Sequence, residues 1–205
     1  MMSTSAEPIP VGDLIKYPSP NERRDWNAFL GMVIFLASWI MLFGGIFLTY
    51  GALRARAMVW PPVDLPPLPL DLPGLNTLVI ALSSGALHFG YQGIKAGHVR
   101  RLQWGLPLTL LFGCLFMLLQ SIVWIQLWNE GLQIDTGPYG SVFYAMTAFH
   151  AVHVVIGLFA LGWLSVQSWR GIYTPARYLS VRLWALYWHF VGIVWGVIFV
   201  TVYVL

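Results

Sequence analysis

Five long stretches without a charged side chain constrain this 205-residue sequence more than any other feature. They run from Trp26 to Leu53, Leu72 to Ile94, Leu102 to Asn129, Thr136 to Trp169 and Leu183 to Leu205. Each is longer than the roughly 20 residues with which an α-helix crosses about 30 Å of hydrocarbon. The sequence therefore predicts an all-α integral membrane protein with five transmembrane helices.

The composition supports a membrane protein over a soluble one. Hydrophobic residues make up 58% of the chain and charged residues only 9%, whereas about a quarter of a soluble domain is charged. The net charge of +3 is small and falls in the connections between the apolar stretches. We therefore expect no nucleic-acid partner.

The domain organisation follows from the same stretches. We predict a polar N-terminal segment, 1–26, and a five-helix domain, 27–205, with helices at about 27–53, 74–95, 102–129, 141–169 and 183–205. The fourth helix is expected to begin near Ser141, because Pro138 lies inside its window. The N-terminal segment lacks a basic cluster, a short apolar run and a small-residue cleavage site, so no removable signal is predicted.

The basic residues predict the orientation of the chain in the membrane. One side receives nine of them and the other side only Arg54 and Arg56, so the positive-inside rule places the N-terminus in the cytoplasm and the C-terminus outside. The nine are Lys16, Arg23, Arg24, Lys95, Arg100, Arg101, Arg170, Arg177 and Arg182. An interfacial belt of aromatic residues is expected at both sides. Its members are Trp26, Trp104, Trp169 and Trp184 inside and Trp60, Trp128 and Tyr203 outside.

Small residues predict where the helices touch, because helices in lipid associate through close packing and polar contacts. Helix 1 carries a seven-residue repeat of small side chains, and helix 5 carries a GxxxG step at Gly192 and Gly196. The repeat consists of Gly31, Ser38, Gly45 and Ala52. In helix 4, His150 and His153 share one face with Gly157, which predicts that both imidazoles point into a protein contact.

The charge-free stretches contain no Asp, Glu, Lys or Arg, and their candidates for titration are His88, His150, His153 and His189. A haem held between helices 4 and 5, a metal site or a proton relay would each use such residues. The competing interpretation is that each imidazole forms a hydrogen bond across a helix interface. The absence of intramembrane carboxylates and lysines disfavours a proton-coupled transporter, and no motif for enzyme chemistry is present.

Two further features have structural interpretations. Cys114 lies inside an apolar run and is expected to pack rather than react. Five basic residues flanking helices 1 and 2 are candidates for lipid headgroup binding, with topology charges as the alternative. They are Arg54, Arg56, Lys95, Arg100 and Arg101.

Three stretches of the sequence resemble one known family. Helix 1 and the segment after it read GMVIFLASWIMLFGGIFLTY, WPP and LNTLVIALSSGALHFG. Helix 4 contains FYAMTAFHAVHVVIGL, and helix 5 reads LYWHFVGIVWGVIFVTVYVL. From about Asn27 onward the chain resembles subunit III of the haem-copper oxidases, cytochrome c and quinol oxidases, in the five-helix form without the two leading helices.

The resemblance implies an accessory role in aerobic respiration. A subunit III packs beside the catalytic subunit I and other oxidase subunits, binds structural phospholipid and supports sustained turnover. Its lipid cleft also implies an apolar route for oxygen. It binds neither haem nor copper, so the chain itself would have no catalytic centre. We expect a multi-pass protein of a bacterial inner membrane.

The sequence departs from the family pattern at three acidic positions. Trp39, Arg182 and Gly192 stand where family members carry carboxylates. We expect Trp39 to fill volume near the centre of helix 1 and Gly192 to let helix 5 approach a neighbour.

Other functions remain open from the sequence alone. A subunit III-like accessory of a nitric oxide reductase or a quinol oxidase would differ only in its partner. A haem-carrying membrane electron carrier and a small transporter are the alternatives from other classes.

Overall fold

The chain forms five long helices, as a computed structural model that describes residues 19–60, 62, 65, 66 and 68–205 shows. They are α1 (Pro20–Arg56), α2 (Asp71–Lys95), α3 (Val99–Asn129), α4 (Pro138–Trp169) and α5 (Leu179–Ile198), with α5 continuing as a π-helix, Phe199–Val204. All five are long and apolar enough to cross a membrane. The described residues contain no β-strand, only an isolated bridge between Thr174 and Arg177. The predicted all-α, five-span architecture is confirmed, while Lys16 and residues 1–18 lie outside the described residues.

Each helix begins earlier than its predicted start, and for α1 the reason is a capping group outside the charge-free window. The Ser19 hydroxyl accepts from the Glu22 backbone N–H at 3.3 Å, and the Glu22 carboxylate accepts from the Ser19 N–H at 2.7 Å. This capping box starts α1 at Pro20, inside the segment predicted to precede the helices. The expected start of α4 near Ser141 is wrong, since Pro138 occupies its first turn, where no backbone N–H donor is needed.

Ring contacts and turns identify the two ends of the bundle. The Trp60 ring, just after α1, lies 5.0 Å from the ring of Tyr139 at the start of α4. Tyr203, close to the C-terminus, lies 6.0 Å from Phe143, also near the start of α4. The segment that joins α1 to α2 at this end contains Pro62, Pro66 and Pro69, so we call it the proline-rich end. The opposite end, the basic end, carries the turns that join α2 to α3 and α4 to α5.

Helices α2 and α3 form a tight hairpin through two glycines. A Cβ atom added to Gly105 would lie 2.9 Å from the Cα atom of Gly90 and 3.0 Å from the carbonyl oxygen of Ala86. The two backbones are therefore in contact, as small residues permit between membrane helices. The short turn after Lys95 fixes this pair as antiparallel neighbours.

A single tryptophan fills the centre of the bundle. Trp188 of α5 is fully buried, and its indole N–H donates to the Ser83 hydroxyl of α2 at 3.1 Å. Ser83 in turn donates to the carbonyl oxygen of Thr109 in α3 at 2.9 Å. The ring occupies space left by Gly113 of α3 and Gly157 of α4, where an added Cβ would meet it at 2.9 Å and 2.8 Å. Four helices thus converge on one side chain.

Helix α1 lies at the periphery and contacts α4 and α5 through large side chains. Leu36, Phe43 and Tyr50 are its buried residues, and Trp39 packs beside them. The prediction that its small-residue repeat forms the contact face is wrong for this chain. All four members are exposed, and a Cβ on Gly31 or Gly45 would meet no atom within 4 Å. Aromatic side chains fill the gap between α1 and the other helices, so close backbone approach is not needed.

Candidate functional site

His150 of α4 is enclosed by aromatic rings. Its imidazole is 1% exposed and lies 5.5 Å from the Trp195 ring, 5.9 Å from the Phe116 ring and 6.5 Å from the Phe43 ring. Neither ring nitrogen has a hydrogen-bond partner among the described residues. His150 therefore faces protein, as predicted, and its surroundings are largely apolar side chains from α1, α3 and α5.

His153 lies one turn further along α4 in a different environment. Its Nδ1 atom pairs with the carbonyl oxygen of Phe149 in the same helix. The Trp39 ring of α1 is in contact with the imidazole, and the Trp39 ring centroid also lies 5.5 Å from that of Tyr187 in α5. Trp39 therefore lies at the junction of α1, α4 and α5.

Neither the interpretation as interhelical hydrogen bonds nor the haem alternative matches the positions of these histidines. The hydrogen bond of His153 is within its own helix, and His150 makes none with the described residues, so neither imidazole bonds across a helix interface. The structure also does not bring His189 beside either helix-4 histidine, as a bis-histidine haem site would require. The nearby imidazole is instead that of His88 in α2, with ring centroids 6.2 Å apart.

His88 and His189 belong to a polar strip on the outside of the bundle. His88 and Gln92 of α2 are exposed, and the Gln92 amide lies 3.3 Å from the His88 Nε2 atom. His189 of α5 is partly buried, and its ring lies beside that of His88. We call these three residues the histidine strip. It lies within two membrane-spanning helices yet faces away from the protein core.

The two glycines of the GxxxG step in α5 differ. A Cβ on Gly192 would lie 3.3 Å from the Ser84 hydroxyl and 3.8 Å from the Ile80 side chain, so the neighbour that Gly192 approaches is α2. A Cβ on Gly196 would meet nothing within 4 Å. Gly196 is therefore not a close-contact position within this chain, contrary to the prediction.

The basic candidates for headgroup binding lie at the helix ends. Lys95, Arg100 and Arg101 are exposed around the α2–α3 turn, and Arg54 and Arg56 form the last turn of α1. The Lys95 amine lies 5.9 Å from the Tyr91 ring centroid, and the Arg101 guanidinium lies 5.3 Å from that of Phe89. These contacts hold two of the charges close to the bundle.

An apolar groove opens between α3 and α4 on the outer surface. It has a volume of about 480 Å³, and Gly162 is one of its lining residues, where an added Cβ would meet no atom within 4 Å. Cys114 is exposed along it rather than packed in the core as expected. Its lining consists of Leu110, Cys114, Val155, Leu158, Phe159, Gly162, Trp163 and Val166.

A buried polar cluster near the proline-rich end was not anticipated from the sequence. The Asn76 amide of α2 donates to the Gln120 carbonyl of α3 at 3.3 Å, and the Tyr203 side chain faces Gln120. Tyr203 is 7% exposed, so its predicted place in the aromatic belt is wrong. The π-helical turn that directs it inward has no signal in the hydropathy pattern.

Metal-ligating residues do not converge in the described part of the chain. No three side chains of His, Cys, Asp or Glu there form a group that could hold a metal ion. The site residues instead form helix contacts, an exposed polar strip, an apolar groove and a buried amide cluster.

The chain matches a known protein family over most of its length. The family model for cytochrome c oxidase subunit III matches residues 26–205, which include every helix contact described above. The chain belongs to the cytochrome c oxidase subunit III family. This confirms the resemblance found in its helix 1, helix 4 and helix 5 motifs.

Individual relatives agree with the family match. The chain is 32% identical over 195 residues to cytochrome c oxidase subunit 3 of Thermostichus vulcanus, covering 95% of this chain and 94% of that one. It is 37% identical over 175 residues to a probable cytochrome c oxidase subunit 3 of Nocardia farcinica, covering 85% and 86%. The subunit 3 of Oryctolagus cuniculus is 31% identical over 179 residues, or 84% of this chain and 67% of that relative.

Proposed function

We propose that the chain is a non-catalytic accessory subunit of a respiratory terminal oxidase, which packs beside catalytic subunit I, binds phospholipid and supports sustained turnover. Its N-terminus would face the cytoplasm of a bacterium, with the basic end of the bundle at the inner surface of the membrane. Family membership supports the assignment to an oxidase. The distribution of Lys and Arg between the two ends supports the orientation.

The observation that favours a protein partner is the histidine strip. Polar side chains within a membrane normally face a bundle interior or a water-filled cavity, because lipid cannot satisfy their hydrogen bonds. His88 and Gln92 bond each other at 3.3 Å but remain exposed on α2, and His189 lies beside them. A polar surface of a neighbouring subunit would complete the hydrogen bonding of this strip.

The test is the retention of catalytic subunit I during purification of the tagged chain in mild detergent. We expect His189→Leu to reduce the co-purified subunit I severalfold, while the oxidase that remains assembled keeps its first turnover. His98→Leu is the matched control, because His98 lies in the α2–α3 turn outside both helices. Full retention of subunit I in His189→Leu would refute a docking role for the strip, and loss of the first turnover would contradict an accessory role.

The α3–α4 groove supports phospholipid binding. Its lining offers carbon atoms almost throughout, which suits an acyl chain rather than a polar ligand. Trp104 and Trp169 pack together at 5.9 Å near the basic end of the same two helices, and exposed Arg100 and Arg101 lie at the start of α3. An acyl chain in the groove would place its headgroup near these aromatic and basic residues.

A variant that fills the groove tests this arrangement. Gly162→Leu adds side-chain volume where an added Cβ meets no protein atom, so the fold tolerates it while the acyl chain loses its place. Native mass spectrometry should then show about one phospholipid fewer per chain. Gly196→Leu, which adds the same volume at another open position, should retain the full number. Equal lipid content in the two variants would contradict lipid binding in this groove.

A further inference from the structure

Four of the five helices are joined to one another by side-chain hydrogen bonds. Such bonds connect α2 with α3, α3 with α4, α4 with α5 and α5 with α2, so these helices form a closed ring. Lipid cannot replace these bonds, because acyl chains offer neither donors nor acceptors. The bonds are Ser83–Thr109 at 2.9 Å, Trp124–Thr147 at 3.2 Å, Tyr187–His153 at 2.9 Å and Trp188–Ser83 at 3.1 Å.

Helix α1 stands outside this ring of four helices. Its Ser38 and Thr49 hydroxyls donate to carbonyl oxygens of α1 itself, at 2.7 Å and 2.9 Å. The Tyr50 hydroxyl accepts from the Trp60 indole just after the helix, at 3.3 Å. Among the residues that the structure describes, no side chain from 31 to 56 forms a hydrogen bond with α4 or α5. This part of α1 is therefore attached by packing alone.

The packing contacts of α1 are apolar and cover little of the helix. Trp39 touches the His153 imidazole, and the Phe43 ring centroid lies 5.4 Å from that of His153. Of the most apolar 18-residue stretch of α1, 11% is buried in protein, against 44% for α4 and for α5 with its π-helical end. Acyl chains offer a helix similar apolar contacts, so α1 loses little free energy when lipid replaces protein at its surface.

His150 lies beneath α1 and gains no hydrogen bond from being covered. Its imidazole is 1% exposed, and both ring nitrogens lack a hydrogen-bond partner among the described residues. Phe43 of α1 forms one of its walls, with ring centroids 6.5 Å apart. Burying an imidazole without a partner costs free energy, which movement of α1 would recover. We propose that α1 is a movable lid over His150 and His153, packed on the ring of four helices in the major state and displaced into the lipid in a minor state.

The open lid gives the two imidazoles access to molecules dissolved in the bilayer. His150 and His153 are one turn apart on α4, so a molecule that carries a hydrogen-bond donor or acceptor can reach both. The lid covers neither the histidine strip nor the α3–α4 groove. It acts independently of the contacts proposed with subunit I and with phospholipid.

The test measures how fast diethyl pyrocarbonate, an uncharged reagent that acylates accessible imidazoles, modifies each histidine of the full chain in mild detergent. Peptide mapping by mass spectrometry separates His150 from His98, which is exposed in the α2–α3 turn. A minor state is typically populated at about 0.1 to 10%, so we expect His150 to react about 10 to 1,000 times more slowly than His98. A slower reaction of His150, or none, would overturn the proposal.

Two phenylalanine variants show whether the access depends on α1. Phe29→Ala removes a ring that lies 4.7 Å from the Arg182 guanidinium of α5, about 20 Å along α1 from the ring beside His150. It therefore loosens α1 without opening space at His150, whose reaction should become about two to five times faster. Phe89→Ala removes the corresponding contact with Arg101 on α2 and should leave the rate unchanged. No increase in Phe29→Ala, or an equal increase in both variants, would contradict a lid formed by α1.

Discussion

The two histidines of α4 are three residues apart, yet their surroundings give them different roles. His153 has a backbone acceptor in Phe149 and a tryptophan ring against its edge. His150 has only aromatic neighbours and leaves two ring nitrogens without a described partner. A buried polar group without a hydrogen bond costs free energy that an apolar side chain of similar size avoids.

Leucine substitutions separate these roles. We expect His153→Leu to lower the free energy of unfolding by about 1 to 2 kcal/mol, because it removes a hydrogen bond and a ring contact. His150→Leu should leave it within about 1 kcal/mol of the parent or raise it. The measurement is the thermal midpoint of the chain fused at its N-terminus to a fluorescent protein, followed on heating by its elution from a size-exclusion column. An equal loss in both variants would mean that His150 has a bonding partner.

Among the helices, α2 and α3 are held most closely, and glycine makes this possible. The contact between Gly90 and Gly105 joins two backbones, so neither can move away without opening the hairpin. Helix α1 is the opposite case, since bulky side chains separate it from its neighbours and its small residues face outward. Small residues therefore mark a close contact in one helix and an exposed surface in another.

Alanine substitutions distinguish contact glycines from exposed ones. Gly105→Ala should lower the free energy of unfolding by about 1 to 3 kcal/mol, because its methyl group would meet the Gly90 and Ala86 backbones. Gly196→Ala should be neutral or stabilising by up to about 1 kcal/mol, since alanine is the better helix former and meets no neighbour there. Similar midpoints for the two variants would argue against the tight hairpin.

The sequence predicts the helices well and their contacts only in part. Length and hydropathy suffice for the five spans, because the bilayer requires that every crossing satisfy its own backbone hydrogen bonds. Hydropathy does not report which side of an apolar helix meets protein, so the prediction that the repeat with Gly31 and Gly45 forms the contact face is wrong. The inward turn of Tyr203 depends on a π-helical geometry that residue spacing does not encode. His189 meets His88 rather than a helix-4 histidine because the rotation of α5 is set by packing.

In the molecule as a whole, Trp188 connects elements that are far apart in the chain. Its hydrogen bond to Ser83 spans 105 residues, and its ring fills the space beside Gly113 and Gly157. Removing this ring would leave a cavity shared by α3 and α4 and would remove a hydrogen bond between α2 and α5. The two effects act together, because one side chain supplies both the volume and the donor.

Trp188→Ala should therefore lower the free energy of unfolding by about 3 to 5 kcal/mol, as expected for a large buried aromatic residue. Trp104→Ala is the matched control and should change it by about 0.5 kcal/mol or less, since Trp104 is 63% exposed. The yield of intact fusion protein in detergent and its thermal midpoint measure both variants. A loss of less than about 1 kcal/mol in Trp188→Ala would mean that contacts of other residues hold the bundle together.

The position of Trp188 in the last helix has a consequence for biosynthesis. Since α5 follows the other four helices in the chain, the space beside Gly113 and Gly157 stays open until α5 enters the membrane. Insertion of α5 therefore supplies the side chain that packs α3 against α4. Only after this step do α2 and α5 together present the histidine strip to an incoming partner.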